Sequence, residues 1–137
     1  MSKAFTRESD DELDLSLPAK QAAILPAGTP NYLTPDGTDR LRRELDRLIT
    51  EDRPALQRAG AEENNGPLRR IDHRIREISE VLGSAQIIPP PSRPWNRAAF
   101  GAIVTARKSN QEEVTYRIVG INEVDLDRGW VSCLSPV

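Results

Sequence analysis

The stretch that decides the fold is residues 33–85. Its last part, residues 68–85, reads LRRIDHRIREISEVLGSA. Its apolar residues recur at spacings of three and four, which is typical of the seam of an antiparallel coiled coil. These seam positions are Leu68, Ile71, Ile75, Ile78, Leu82 and Ala85. A matching apolar row precedes them at Leu41, Leu45, Leu48, Leu56 and Ala59. We therefore predict two helices that fold back on each other.

The sequence also indicates where the first helix begins and ends. Thr34 can cap its first turn, and Pro35 fits the first helical position, where a missing N–H costs nothing. Pro54 falls inside the apolar row and predicts that the helix kinks there or ends near Arg53. Residues 60–67 read GAEENNGP, a polar segment that we expect to form the turn between the two arms.

The last part of the chain changes to the two-residue period of strands. We predict strands at 102–106, 114–119 and 130–134, with a turn at 108–112. Three short strands form a thin sheet with open edges, so this module looks incomplete or in need of a partner that covers it. The fold class is α+β, a helical hairpin followed by a small antiparallel β module.

Composition divides the chain into four segments. Residues 1–30 are acidic and loop-like, and we expect a disordered tail there. The hairpin spans 31–88, a proline-rich linker spans 89–99, and the β module spans 100–137.

Composition also excludes several classes of protein. The net charge of −2 argues against binding of nucleic acid through a global positive field. Cys133 is alone, which excludes an intrachain disulfide or a cysteine metal cluster. No apolar run approaches the ~20 residues of a membrane span, and no signal peptide is visible, so we expect a cytoplasmic protein with no membrane partner. The sequence shows neither a nucleophile–base pair nor a phosphate-binding glycine loop, so nothing in it suggests an independent enzyme.

Several short stretches follow one another along the chain. They are MSKAFTRESDD at 1–11, NYLTPDG at 31–37, LRREL at 41–45, EDRP at 51–54, IDHRI at 71–75, FGAIV at 100–104, YRIVG at 116–120 and VSCLSP at 131–136. Their order and spacing resemble those of the bacterial transcription elongation factors GreA and GreB, and the GreB branch in particular.

The resemblance implies a fold and a mechanism. Gre factors dock an FKBP-like C-terminal domain at the rim of the secondary channel of RNA polymerase and pass the coiled coil down that channel. Acidic residues at the tip help to hold the catalytic magnesium, and the polymerase cleaves the RNA itself. The resemblance therefore implies a monomer that is not an enzyme, whose partner is RNA polymerase and which meets DNA or RNA only through the transcription complex. By the same resemblance, the protein has no cofactor of its own but could share the magnesium of the polymerase.

The same resemblance points to candidate site residues. Glu63 and Asn64 match the Glu-Asn of the family's tip, and Glu62 lies beside them as a further acid in a different placement. The tip of the family lies near magnesium, a hard cation that prefers oxygen ligands. The aspartate of the family's tip has no counterpart here. Ser135 and Pro136 match the part of the C-terminal domain that contacts polymerase.

The chain departs from the family pattern in length. The hairpin has about fourteen fewer residues than GreB-type proteins, roughly one heptad in each arm, so each arm loses on the order of 10 Å of reach at ~1.5 Å per residue. The C-terminal domain is also shorter here than in the family pattern. The sequence thus leaves three hypotheses: a Gre-type modulator of elongation, an occupant of the channel that competes with or inhibits full-length factors, and a truncated relative that acts only as a helical interaction module.

Overall fold

A computed structural model describes residues 25–63, 66–92 and 96–135. The first part contains strand β1 (Asn31–Leu33), helices α1 (Pro35–Arg47), α2 (Arg53–Arg58) and α3 (Gly66–Ser84), and strand β2 (Ala85–Ile87). The second part contains strands β3 (Ile103–Arg107), β4 (Glu113–Val119) and β5 (Trp130–Ser132). The predicted α+β class is confirmed. Most of the predicted tail lies outside the described residues, and the four-segment division of the chain stays a prediction.

Helix α1 begins as the sequence predicts. Thr34 has extended backbone angles, and its side-chain oxygen accepts a hydrogen bond of 3.0 Å from the backbone N–H of Gly37. Pro35 occupies the first helical position. The cap satisfies one of the N–H groups that a helix leaves free at its start.

Of the two outcomes predicted for Pro54, a kink or an end near Arg53, the end is wrong, because the helix continues to Arg58. Residues Leu48–Asp52 form a π-helical segment, and the backbone N–H of Arg53 bonds to the carbonyl oxygen of Leu48. The helix then resumes as α2 through Pro54. A proline inside a helix lacks a donor and crowds the carbonyl of the preceding turn. The wider π-helical turn gives that carbonyl a different position, so the first arm continues to Arg58.

Helix α3 packs against the first arm, but only part of the apolar row is fully buried. Leu68 is 0% exposed and Ile78 is 1% exposed, whereas Leu41, Leu45 and Ile75 are only half-buried. A pair of helices covers each apolar stripe from one side only, so the middle of the seam stays partly in contact with water. Ala85 differs from the prediction, because it begins β2 instead of ending α3.

Ion pairs connect the arms along their flanks. The Arg74 guanidinium donates to both carboxylate oxygens of Glu44, with distances of 2.7 Å and 3.0 Å, and it also reaches Glu77 at 2.9 Å. These carboxylates raise the pKa of Arg74, with the hydrogen bond that Arg74 donates to Glu44 as the largest cause, so the guanidinium stays charged. The pair fixes the lateral position of α1 against α3, since a forked donor matches a carboxylate in one orientation.

A double-mutant cycle would measure this pair. We expect Arg74→Ala and Glu44→Ala each to lower the free energy of unfolding, with a coupling energy of about 0.5–1 kcal/mol, because both side chains are partly exposed. Urea denaturation of the four proteins gives the coupling. Arg43→Ala with Glu44→Ala is the control pair, and equal coupling in the two cycles would contradict the assignment.

A parallel strand pair, which no sequence pattern predicted, closes the base of the hairpin. β1 pairs with β2, with Asn31 opposite Ala85 and Leu33 opposite Ile87. The backbone N–H of Ile88 extends the pairing to the carbonyl oxygen of Leu33 at 2.9 Å. The Asn31 side chain donates to the carbonyl oxygen of Val81 and to the hydroxyl of Ser84. The chain therefore enters and leaves the hairpin at one fixed point.

The three strands predicted near the end of the chain are confirmed within a residue or two, but their orientation is partly different. β3 and β4 are antiparallel, joined by the predicted turn. β5 is parallel to β4, with Ile118 opposite Val131, so the expectation of an all-antiparallel module is wrong. Residues 120–129 contain two short 3-10 turns that return the chain to the side where β4 began. A tight hairpin would have reversed the direction instead.

The β module packs against the base of the hairpin. The rings of Tyr32 and Phe100 meet edge to face with centroids 5.6 Å apart, and Val119 and Ala102 are buried. Part of the sheet is therefore covered within the chain itself. Among the described residues, no helix has the length and apolar character needed to cross a membrane.

Candidate functional site

The tip of the hairpin is built by the end of α2 and the turn that follows. The backbone N–H groups of Gly60 and Ala61 bond to the carbonyl oxygens of Gln57 and Leu56, both at 3.0 Å. Gly60 has a φ of +84°, a left-handed conformation that glycine adopts without steric cost. These bonds end the helix and direct Glu62 and Glu63 outward.

The two tip carboxylates have different surroundings. Glu63 accepts a hydrogen bond of 2.9 Å from Arg53 on one oxygen and a hydrogen bond of 2.8 Å from Gln57 on the other. Glu62 is exposed and has no ion pair within the described part of the chain. Asn64, the third predicted tip residue, lies outside the described residues. Both Glu62 and Glu63 thus lie at the tip, but only Glu63 accepts hydrogen bonds from neighbouring side chains.

Arg53 connects the tip to the opposite arm. Its Nε donates to Asp72 of α3 at 2.7 Å, while its terminal nitrogen donates to Glu63. The hydrogen bond that Arg53 donates to Asp72 is the largest cause that raises the pKa of Arg53, and Glu63 adds a smaller contribution. Arg53 belongs to the EDRP stretch and Asp72 to the IDHRI stretch, so two motifs that were noted separately meet in space.

The base of the hairpin holds a buried carboxylate. The Glu123 side chain is 2% exposed and accepts hydrogen bonds of 3.0 Å from the backbone N–H groups of Thr34 and Gly120. The Thr34 hydroxyl donates to it as well. This carboxylate lies at the start of α1, where the helix dipole favours a negative charge. Glu123 therefore fastens the β module to the first helix.

Cations around Trp130 complete this junction. Arg40 of α1 lies over the indole ring at 4.3 Å and within 3.7 Å of Glu123. Arg117 of β4 lies 5.5 Å from the same ring and pairs with Asp36 of α1 at 2.9 Å. Contacts of arginine with an aromatic face are favourable and are stronger when partly desolvated. The orientation of the hairpin relative to β4 and β5 is thus held by several contacts.

One of the two predicted docking residues, Ser135, follows strand β5. Ser135 is exposed in the turn after β5, and its backbone N–H bonds to the carbonyl oxygen of Ser132 at 3.0 Å. Pro136 lies outside the described residues. Leu134 is also exposed in this turn. A plain turn explains the local geometry, and its exposure leaves Ser135 accessible to a partner.

Sequence reasoning missed Arg53 and Glu123 as site residues. Glu123 has no motif around it, and its partner Thr34 is 89 positions away in the chain. Arg53 could have been noticed, because it is an arginine beside a turn that faces an aspartate on the returning arm. Within the described ranges, no group of three or more potential metal ligands lies together.

Comparison with known proteins decides the family. The GreA transcription elongation factor of Thermodesulfovibrio yellowstonii is 36% identical over 120 residues, which cover 77% of this chain and 76% of that protein. The chain belongs to the GreA/GreB family. The family description "Transcription elongation factor, GreA/GreB, C-term" matches residues 93–137 of this Gre-family chain.

Other relatives of this Gre-family chain include both named types. GreA of Haemophilus influenzae is 39% identical over 77% of each chain. GreB of Yersinia pestis is 34% identical over 78% of this chain and 71% of its own. The solved structure titled "Structure of the transcription factor Gfh1." covers 79% of this chain and 78% of its own at 20% identity, with a TM-score of 0.31, which carries no argument about the arrangement of the parts.

Proposed function

We propose that this Gre-family protein binds RNA polymerase at its secondary channel and modulates elongation without strongly stimulating transcript cleavage. One observation carries the second half of the proposal: both carboxylate oxygens of Glu63 are already engaged by Arg53 and Gln57. Glu62 is then the one unengaged carboxylate in the described part of the tip. The family membership supports the first half.

The hairpin supports a role as a channel probe. Its arms are held by a shared apolar seam, by the Glu44–Arg74 pair and by the Arg53–Asp72 pair. The strand pair at its base keeps the arms together where they leave the β module. We infer an antiparallel coiled coil that enters the channel, presented by a module related to the FKBP-like domain of the family.

The tip chemistry argues for occupancy over cleavage. A magnesium ion that is held by another protein needs tip carboxylates with free oxygens at the right distance. Here the carboxylate of Glu63 already accepts hydrogen bonds within the chain, and each arm is shorter than in the family pattern by on the order of 10 Å. A misplacement of about 1 Å can already cost a large factor in rate. We infer that the factor occupies the channel and competes with full-length Gre factors.

The remaining parts of the proposal concern partners. We infer that the protein is a cytoplasmic monomer with no active site of its own, and that DNA and RNA reach it only within the transcription complex. Any magnesium at the tip belongs to the polymerase. Ser135, with Pro136 beside it, is the candidate docking contact at the channel rim.

A pull-down with core RNA polymerase tests the binding. We expect the chain to be retained by the polymerase and to be displaced by a full-length Gre factor. Ser135→Asp should weaken retention severalfold, because it places a charge in the docking turn. Ser109→Asp, in the exposed turn between β3 and β4, is the matched control and should bind as the natural sequence does. No retention of the natural chain would reject the proposal.

A cleavage assay on stalled complexes tests the second half. With the protein at saturation, RNA shortening should stay near the intrinsic rate of the polymerase, and cleavage by an added full-length factor should fall. RNA shortening well above the intrinsic rate would show that the tip reaches the metal and would eliminate the occupancy proposal. Unchanged cleavage by the full-length factor would eliminate it as well.

A further inference from the structure

We propose that Arg53 is a positioning residue that withholds the tip carboxylate of Glu63 from divalent cations. Its biological meaning rests on the proposed function, because the cation in question is the magnesium of the polymerase. The proposal itself concerns only contacts within the chain, and its test requires no polymerase.

Both carboxylate oxygens of Glu63 already accept a hydrogen bond within the chain. The terminal nitrogen of Arg53 lies 2.9 Å from one carboxylate oxygen, and the amide nitrogen of Gln57 lies 2.8 Å from the other. A cation that binds Glu63 through both oxygens competes with these two donors for the carboxylate. The nearby positive charge of the guanidinium also repels an approaching cation. Glu62, one residue away, carries neither restraint.

Arg53 makes one stronger contact and one weaker contact. The contact with Asp72 is the shorter of the two, at 2.7 Å, and both of these side chains are about two-thirds buried, with exposures of 29% and 32%. The Glu63 side chain is 62% exposed. Water screens the second contact more than the first, so the Arg53 guanidinium stays paired with Asp72 of α3 while Glu63 can detach. The arrangement holds Glu63 without locking it permanently.

Only arginine can make both contacts in this way. Its fork presents Nε to Asp72 and a terminal nitrogen to Glu63 at the same time. The single ammonium group of a lysine is a point charge on a flexible stem and does not reproduce that fixed geometry. A lysine at position 53 therefore keeps the charge but loses part of the restraint on Glu63.

The test is a titration of the full chain with Mn²⁺ alone, followed by the paramagnetic broadening of the backbone amide signals of Glu62 and Glu63. We expect Arg53→Gln to lower the Mn²⁺ concentration needed for half-maximal broadening about three- to fivefold, the size expected for an exposed ion pair. Arg58→Gln is the matched control, because it removes an equal charge from the end of the same helix, where Arg58 has no ion pair among the described residues. Arg53→Lys should fall between Arg53→Gln and the natural chain.

A second variant separates release of Glu63 from a general loss of charge. Adding Glu63→Gln to Arg53→Gln should abolish the gain, because the released carboxylate is then absent. Signals far from the tip report whether each variant stays folded. Equal gains in Arg53→Gln and Arg58→Gln, or a gain that survives Glu63→Gln, would overturn the proposal. Failure of the polymerase pull-down would leave these Mn²⁺ results unchanged, so the two proposals fail separately.

Discussion

Replacing Glu123 with alanine is expected to lower the free energy of unfolding by about 3–5 kcal/mol, the range for breaking a buried charged group away from its partners. The substitution leaves the buried N–H groups of Thr34 and Gly120 without an acceptor. It also removes the carboxylate next to Arg40, whose side chain lies between Glu123 and Trp130. Each buried donor without a partner costs on the order of 1–3 kcal/mol.

Urea denaturation followed by circular dichroism measures this loss. Glu80→Ala is the control, since Glu80 is an exposed position on α3 and should change stability by no more than about 0.5 kcal/mol. The loss of a cooperative transition in Glu123→Ala would agree with the assignment, because a small domain has only about 5–15 kcal/mol to lose. Similar denaturation midpoints for the two variants would show that Glu123 does not hold the β module to α1.

The second large effect is expected from Gly120→Ala. A Cβ at this position would lie 1.9 Å from the carbonyl oxygen of Tyr32 and 3.1 Å from Glu123. The obstacle at Tyr32 is backbone, and that backbone is fixed by the pairing of β1 with β2. Relief requires a shift of the hairpin base or of β4, so we expect a loss of about 3 kcal/mol, at the upper end of the range for overpacking.

Gly83→Ala is the matched control for this prediction. No atom lies within 4 Å of a Cβ built at Gly83, which is in the last turn of α3. Alanine should therefore raise stability there by about 0.5–1 kcal/mol through its better helix propensity. The two glycine variants should move the urea midpoint in opposite directions. A neutral Gly120→Ala would mean that β1 and Gly120 do not approach as closely as the structure indicates.

The elements that sequence reasoning found are those that local patterns determine. The cap at Thr34, the apolar seam of α3 and the strands β3, β4 and β5 all follow from residues close to one another in the chain. Periodicity, capping chemistry and turn residues act over a few positions, so they are visible without a structure.

The elements that it missed depend on distant partners. The pairing of β1 with β2 needs the hairpin to be closed first, and the parallel direction of β5 depends on the path of residues 120–129. The contact of Glu123 with Thr34 likewise joins the two ends of the described fold. At the tip, the position of Glu62 and Glu63 was predicted from the resemblance, but the engagement of Glu63 by Arg53 was not. Charge sign alone does not say which of several arginines reaches a given carboxylate.

The π-helical segment Leu48–Asp52 has a consequence for how the hairpin aims its tip. A π-helical turn contains one more residue than an α-helical turn, and one residue rotates the following side chains by about 100° around the helix axis. This insertion therefore sets the direction in which the Arg53 side chain projects from the first arm, independently of how long the arm is. Length and direction are separate variables in this hairpin. A chimera that lengthens the arms by whole heptads keeps the tip facing the same way only if the π-helical segment is carried along with it.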